Sequence, residues 1–562
     1  MPLVKEQASP AQGVRVKHDT WLVLSLAGLS CTVQLAWFWR MAHRNINADA
    51  ISYIGIARHL MRGEFHDSLN GLWSPLISWL IAIASPLTGN LTFLARALNI
   101  VLLLGCLALI YLLTLRLWGS MRLAALAVLW FTLARGVVSF SVTFIGADLL
   151  LTLCTTAYFI QLLQCLRSSS LRGWTLLGVF HGFAFLAKAF AMPWLMCSTL
   201  IAGFFVCRRS RKNALLPVSV GVLIPCLFWL GWGRALQTKY GVFTAGYQSR
   251  FHLQRAAMAA SGNADQSLRV LQDLSKSIDR FGVWDPMFPG SSLWGVRAST
   301  RQLAPELLHR ETQNIPAAIK QLAIFLTPGG LLALALSLWG LWDTKGTEMQ
   351  FLVIVLCSTA ALIVGYAMLM FTGRYLLPCV PPLIAVAVAF LIPGWGPAFP
   401  VKSAPKVQFI ACALLLIGAV YFQVYWASPL REFRRDYELA CYDAAAQLRR
   451  EGCGKVVSIG AGPFPAQGMG WEAGMYTTYF ADCRVTAASA EIPSGSKLPA
   501  LIDDIRSLEP DSLLIWGVPS SPEYAKLLQA LQASDSGLQS NAILDPQLGE
   551  IGRMLLKPAA SR

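Results

Sequence analysis

The sequence predicts a polytopic α-helical membrane protein of about eleven transmembrane helices with a C-terminal extracytoplasmic α/β domain. Three observations carry that prediction. The chain is 55% hydrophobic and only 14% charged, with a mean hydropathy of +0.52; soluble domains average about a quarter charged residues. A soluble fold of this length would need far more polar surface. The apolar residues also come in blocks near the ~20 residues that cross a bilayer. Finally, basic residues gather in alternate connecting loops.

In chain order, an N-terminal tail (1–20) bearing Lys5, Arg15 and Lys17 precedes the first apolar block, 21–38. That block is longer than a signal-peptide core and ends without a small-x-small cleavage site, so it reads as a retained anchor. Further blocks lie near 92–118, 120–141, 147–165, 174–190, 191–207, 215–236, 321–341, 350–370, 375–394 and 407–426. The transmembrane domain thus spans 21–427. Arg116 and Arg122 flank one short connection, Arg167 and Arg172 lie in another, and Arg208, Arg209, Arg211 and Lys212 in a third. Positive residues mark cytoplasmic loops, which puts the N-terminus in the cytoplasm of a cell (inner) membrane protein. With an odd number of spans the C-terminus is outside. The net charge of +16 is therefore explained by topology. No nucleic-acid-binding module accompanies it, and the lipid bilayer is the expected partner, not DNA or RNA.

Three extramembrane segments are long enough to carry function. The loop 39–91 holds a helix-like run from Asp49, with Ile51, Ile54, Leu60 and Met61 near helical spacing, and a second apolar run, 76–87, after Trp73-Ser74-Pro75. Both read as helices on the membrane surface. The loop 237–320 predicts helices near 264–279 and 301–320 around an irregular Trp284-Asp285-Pro286 stretch, which is expected to cover a site. The tail 428–562 alternates elements: helix 432–450, strand 455–459, helix 470–480, strand 483–487, helix 499–507, strand 512–516, helix 522–532 and a strand near 552–556. That pattern predicts a small, mostly parallel α/β domain. Its turn Gly460-Ala461-Gly462-Pro463 lacks dinucleotide-binding spacing and reads as an ordinary loop.

Thirteen cysteines are scattered without a CxxC pair, which argues against a zinc or redox centre. Cys441, Cys453 and Cys483 lie in the external tail, where any two could bridge.

The topology brings ionisable residues to one face. Asp49 follows the first span on its outer side, Arg96 sits near the outer start of the second, and Asp148 opens the fourth. Lys188 ends the fifth, and Arg374 precedes the tenth. A lone charge central in a span costs on the order of 3 kcal/mol, so such residues pair or face a cavity. External bases also run against the usual loop bias. Each residue has a plainer reading. Asp49 and Asp148 could cap helices, Lys188 and Arg96 could snorkel, and Arg374 could anchor to lipid phosphate. His181 reads as a hydrogen-bonded packing residue, Gly178 and Gly182 as sites of close helix approach, and Trp73 as an interface aromatic. As a group, however, two acids and three bases supply a general base and cations for a departing phosphate. An outer-face site has no cytosolic nucleotide sugars, so its donor would ride on lipid phosphate.

At these residues the sequence resembles the GT-C glycosyltransferases that use polyprenyl-phosphate sugars, including protein O-mannosyltransferases and aminoarabinose transferases. Asp49-x-x-Ser52-Tyr53-x-x-Ile56-Ala57 is similar to their acidic first-loop motif. Trp73-Ser74-Pro75-Leu76 resembles the opening of their second surface helix. Gly146-Ala147-Asp148-Leu149-Leu150 falls where a second acid often stands, and Gly373-Arg374-Tyr375-Leu376-Leu377-Pro378 with Pro381-Pro382 is similar to a late Arg-Tyr-x-x-Pro element. The likeness covers about 20–430. Some relatives place Lys or His directly before the Pro-Pro of the second surface helix; Trp73 and Ser74 stand here instead, which shifts phosphate binding to Lys188, Arg96 or Arg374. The resemblance implies inverting transfer of a sugar from a polyprenyl-phosphate donor to a hydroxyl on a glycan, lipid or protein acceptor at the extracytoplasmic face. Asp49 is then the expected base, with Asp148 orienting the acceptor or sharing that role. Tyr53, Arg96, Lys188, Arg374 and Tyr375 are the expected substrate-binding residues. No cofactor is implied. No metal ligand is assigned and no divalent cation is required, although some relatives use one. A transporter or flippase, or a noncatalytic subunit, are the rival classes, the former usually carrying midplane charges and repeated halves that this sequence lacks.

Overall fold

The structure, a computed structural model, describes residues 10–42, 46–134, 136–260, 278–286, 300–341, 346–369, 371–391, 404–427, 441–450, 452, 454–461, 469–489, 512–517, 525–526, 529, 538–544 and 552–558. Among these, eight helices are long and apolar enough to cross a membrane, and nine if the bent pair Met121–Leu133 and Val137–Thr143 is one span. Two shorter apolar helices, Leu171–Ala187 and Lys406–Ala419, stand where the remaining spans were expected. The apolar blocks are therefore helices throughout; Leu171–Ala187 has 17 residues, whereas the helix that holds Lys406–Ala419 runs over Ala404–Ala427, 24 residues.

The first helix, α1 (Pro10–Ala42), packs on α6 (Met121–Leu133) and α7 (Val137–Thr143). Between α1 and the next span, α5 (Leu91–Trp118), lie α2 (Ala48–Met61), the single turn α3 (Phe65–Ser68) and α4 (Leu76–Ala84). After α7 follow α8 (Asp148–Arg167), α9 (Leu171–Ala187), α10 (Ala191–Arg209), α11 (Arg211–Tyr240) and α12 (Gln248–Ala260). The later helices are Thr300–Leu341, Thr347–Leu369, a 3₁₀ stretch Gly373–Cys379 running into Val380–Ala387, and Ala404–Ala427.

Local sequence explains the packing. Added methyl carbons at Gly178 and Gly182 would lie 2.8 Å from Ile224 Cβ and 2.5 Å from the Phe228 ring, so these glycines let α9 lie directly on α11. That is the close approach expected of them. His181 on the same helix is buried and bonds Met192 O at 3.1 Å, the packing role expected for it. The expected helix 301–320 and the span after it form one element, Thr300–Leu341, broken at Thr327 (φ 64, ψ 163) just before Pro328. Proline cannot donate to the helical ladder and its ring disfavours helical backbone one residue earlier.

Two expectations need correction. The helix α2 does not lie on a surface: nine of its fourteen residues are buried, including the run Ala50–Ala57. An apolar helix covered on all sides belongs inside; α4 and the segment 278–286 cover it. The expected helix near 264–279 does not extend through Ile278, which forms an antiparallel bridge with Trp284; 264–277 lie outside the described residues.

In the tail, β1 (Lys455–Ala461), β2 (Arg484–Ser489), β3 (Ser512–Gly517), β4 (Leu538–Leu544) and β5 (Gly552–Pro558) form one sheet of order β2-β1-β3-β5-β4. The pairs β1–β2 and β1–β3 are parallel, and β3–β5 and β4–β5 antiparallel. The parallel half matches expectation; the added hairpin edge, with β4, does not. The helices 441–450 and Met469–Ala481 occupy expected places. The expected helices at 499–507 and most of 522–532, and Gly462-Pro463, lie outside the described residues. Cys483 is disulfide-bonded and Cys441 is a buried thiol; Cys453 lies outside the described residues.

Candidate active site

Asn47 sets the geometry. It occupies the N-cap position of α2, but its side chain reaches across to the turn before α8. There its Nδ2 donates to Ile145 O (2.9 Å) and its Oδ1 accepts from Ile145 N–H (2.9 Å). Asn99 Nδ2 holds the neighbouring Phe144 O at 2.8 Å. These bonds bring the first turns of α2 and α8 together, and with them Asp49 and Asp148. Neither acid takes the N-cap itself, since Asn47 and Ala147 do. Both nevertheless lie in a first turn, where the helix dipole favours the ionised carboxylate.

A single ionic chain runs through the cluster. Arg374 Nη2 donates to Asp49 Oδ2 at 2.7 Å, and Arg374 Nε lies 3.8 Å from Asp148 Oδ2. On the far side Asp148 Oδ1 accepts from Lys188 Nζ. Four residues from four separate elements therefore meet, as the outer-face reading required. The two acids are not equivalent. The Asp148 side chain is 3% exposed and lies between two cations, whereas that of Asp49 is 24% exposed and faces one. Removing Lys188 or Arg374 would leave charge buried without its partner, the situation proteins tolerate least.

Aromatic rings enclose the chain. Arg374 Cζ lies 4.1 Å from the Phe144 ring centroid, and Lys188 Nζ lies 4.2 Å from that of Tyr375. Tyr375 stacks on Tyr366 (4.3 Å, 23°), which in turn meets Phe190 at 4.5 Å. Cations over ring faces gain from the quadrupole, the more so when desolvated. Tyr53, one turn after Asp49, is buried against Trp73 (5.4 Å). Burial, and then the charges of Asp49 and Asp148, push its phenol well above the usual range, so it stays a hydrogen-bond donor. Trp73, expected at the membrane interface, also has a partner within the protein: its Nε1 donates to Trp284 O at 2.9 Å. Its position after a short loop does not reveal that partner, 211 residues away.

The segment 278–286 lies against α2. Trp284 N–H donates to Ser52 Oγ (3.3 Å), and Asn70 Nδ2 donates to Trp284 O (3.3 Å). Asp285 Oδ2 accepts from the Tyr240 hydroxyl at 2.6 Å. The far end of α2 is gripped as well. His59 Nδ1 meets Glu64 Oε2 at 2.7 Å, its Nε2 meets Asp279 Oδ2 at 2.6 Å, and Glu64 also accepts from Arg280. Burial opposes charge on His59, but the two carboxylates outweigh it and raise its pKa above the usual 6.5. His59, Glu64 and Asp67 also come within 4.8 Å of one another, near enough in principle to hold a cation. A ring bonded at both nitrogens by carboxylates and a glutamate tied to arginine fit a salt-bridged clasp better than a metal site.

Of the seven expected site residues, Asp49, Asp148, Lys188 and Arg374 form the ionic chain, and Tyr53 and Tyr375 border it. The chain does not run through Arg96. Arg96 is buried near the start of α5, and its charge, with that of Arg58, acts on Tyr479 of the tail. The Tyr479 hydroxyl bonds Thr92 Oγ1 at 2.6 Å. Asn47, Phe144, Phe190 and Tyr366 were not anticipated. Asn47, a helix-start residue two positions before the acid, carried a readable signal; aromatics inside apolar runs carry none.

Comparison with known proteins bears on part of this site: the matching family profile covers Asp148 and Lys188 but neither Asp49 nor Arg374. Residues 73–232 match the sequence profile of the family described as dolichyl-phosphate-mannose-protein mannosyltransferase. The undecaprenyl phosphate-alpha-4-amino-4-deoxy-L-arabinose arabinosyl transferase of Pseudomonas paraeruginosa (strain DSM 24068 / PA7) is 26% identical over 183 residues, 32% of this chain and 33% of that protein. The enzyme of the same name from Pseudomonas aeruginosa (strain LESB58) matches over the same shares. The alignment thus spans about a third of the length of these curated relatives. The crystal structure of ArnT from Cupriavidus metallidurans in the apo state is similar with a TM-score of 0.51 at 13% identity, covering 97% of this chain and 98% of that one. At that identity the likeness concerns the fold. The resemblance to GT-C polyprenyl-phosphate-sugar glycosyltransferases, read from four short motifs, is borne out by the profile and the curated relatives, with the fold in agreement.

Proposed function

We propose that this protein is an inverting membrane glycosyltransferase that moves a sugar from polyprenyl phosphate to a hydroxyl acceptor at the extracytoplasmic face. The observation that carries the reading is the ionic chain Lys188–Asp148–Arg374–Asp49, in which a half-buried carboxylate and two cations share one aromatic-walled site. The acceptor hydroxyl attacks the anomeric carbon, and its proton passes to the Asp49 carboxylate. The bond between that carbon and the phosphate oxygen breaks with both electrons leaving on polyprenyl phosphate, and the configuration inverts. Arg374 and Lys188 stabilise the charge that grows on the leaving phosphate. Asp148, buried between them, fixes both cations in place and orients the acceptor through Arg374. Asp49 is the better base of the two because it is reachable and has one cation to release. The side chains supply the positive charge of the leaving-group site, so the reaction does not require a divalent cation. The N-terminus is cytoplasmic and the tail domain extracytoplasmic, with eleven spans, the two shorter apolar helices included.

The test uses purified protein in lipid with a radiolabelled polyprenyl-phosphate sugar and an extract of envelope acceptors. A glycosyltransferase converts the donor to free polyprenyl phosphate only when acceptor is present. Intact donor at all protein concentrations overturns the reading.

A further inference from the structure

A cavity of about 170 Å³ adjoins the ionic chain and shares Tyr375 with it. Its walls come from the turn after Lys188 (Ala189, Phe190), from Trp229 of α11, and from Tyr366 and Tyr375. The start of α12 contributes the polar side chains Gln248, Ser249 and His252.

Size restricts the occupant first. A cavity of roughly 150 Å³ takes a single six-membered ring, and drug-sized ligands need about 300–1,000 Å³. A polyprenyl tail or a multi-ring acceptor is therefore too large, whereas one sugar ring fits. The lining suits a sugar: flat aromatic faces for the C–H surface of the ring, and an amide, a hydroxyl and an imidazole for its hydroxyls. Charge restricts it further. None of the described lining residues is Asp or Glu. The charges beside Tyr375 are cationic, with Lys188 Nζ 4.2 Å and Arg374 Cζ 5.5 Å from its ring centroid, and the nearby carboxylates are already engaged by those cations. An ammonium group entering here would lose its hydration and face two cations, with no carboxylate on the described walls of the cavity to pair with.

We propose that this cavity holds the donor's sugar and selects a neutral monosaccharide over an amino sugar. The proposal rests on the glycosyltransferase reading, and it separates this chain from the curated relatives, whose names specify a 4-amino-4-deoxy sugar. Two signals separate the claims. Binding to the purified full-length protein is measured with polyprenyl phosphate alone, its mannosyl form and its 4-amino-4-deoxy-arabinosyl form. The mannosyl form is expected to bind at least tenfold tighter than the amino form. Gln248→Glu should narrow that ratio at least tenfold by supplying the missing acid. Trp229→Leu and Gln248→Leu should weaken the mannosyl form about tenfold while leaving polyprenyl phosphate alone unchanged; Gln248→Leu, at a half-buried position, serves if Trp229→Leu fails to accumulate. Equal or tighter binding of the amino form, or variants that weaken all three ligands alike, overturns the proposal. Selective binding without acceptor-dependent turnover would instead overturn the transferase reading and leave the pocket assigned.

Discussion

Both ends of α2 are held by ionic groups of similar chemistry in different surroundings. At its start Asp49 meets Arg374, Asp148 and Lys188; at its end His59 meets Glu64, Asp279 and Arg280. In the first group the Asp148 and Lys188 side chains are 3% and 9% exposed, and aromatic rings surround the cations. In the second only His59 is comparably buried, at 3% exposed, while Glu64, Asp279 and Arg280 are 26%, 34% and 48% exposed. Buried charges interact strongly and are costly to leave unpaired, whereas exposed pairs are screened and contribute about 0–1 kcal/mol. The first group can therefore store the electrostatic field that phosphate chemistry needs. The second, whose carboxylates and arginine are more open to solvent, fastens the segment 278–286 to the helix.

Breaking the first group should have the largest effect. Arg374→Met removes the cation shared by Asp49 and Asp148, and should abolish transfer while lowering stability by about 3–5 kcal/mol, read by thermal unfolding in detergent. Lys188→Met should cost less, because Arg374 still faces Asp148, at about 2–3 kcal/mol. A stability loss equal to or above that of Arg374→Met would show that Lys188 is the main partner of Asp148. Third comes the covering segment. A methyl group at Gly55 would lie 2.5 Å from Val283 Cγ2 and 3.0 Å from Phe281 O. Gly55→Ala should therefore lift 278–286, cost about 1–3 kcal/mol and speed proteolysis there, with transfer reduced less than by Arg374→Met.

The smallest effect concerns His59. Its pKa is higher in the fold than in the unfolded chain. The stability from its charge is therefore fully present below the unfolded value and lost as pH rises through the folded one. Limited proteolysis of 278–286 should increase over that range, and His59→Gln should remove the dependence. If His59→Gln abolished transfer as completely as Arg374→Met, the two groups would not differ in kind.

The residues of the ionic chain were legible because topology alone sorts charges to one side of a membrane. Asp49, Asp148, Lys188 and Arg374 each lie near the end of an apolar block that the basic loops predict to be the outer one. Arg96 sits at such an end too; it is buried near the start of α5, close enough to the tail for its charge to act on Tyr479. The burial of α2 was also written in its sequence: Ala50, Ile51, Gly55 and Ile56 fall around the whole circumference of the helix and are small or apolar, a pattern of burial and not of an interface. The contact of Trp284 with Trp73 depends on chain returning from 211 residues away, for which no local signal exists. Strand β4, Leu538–Leu544, places Gln539, Ser540 and Asn541 in succession, and this breaks the alternation by which a strand is recognised.

The most direct test of the account compares Asp49→Asn with the unaltered protein in acceptor-dependent release of polyprenyl phosphate, with binding of polyprenyl phosphate measured on the same samples. The account predicts a rate lower by about 10²- to 10⁴-fold and binding that is retained. An unchanged rate would contradict it.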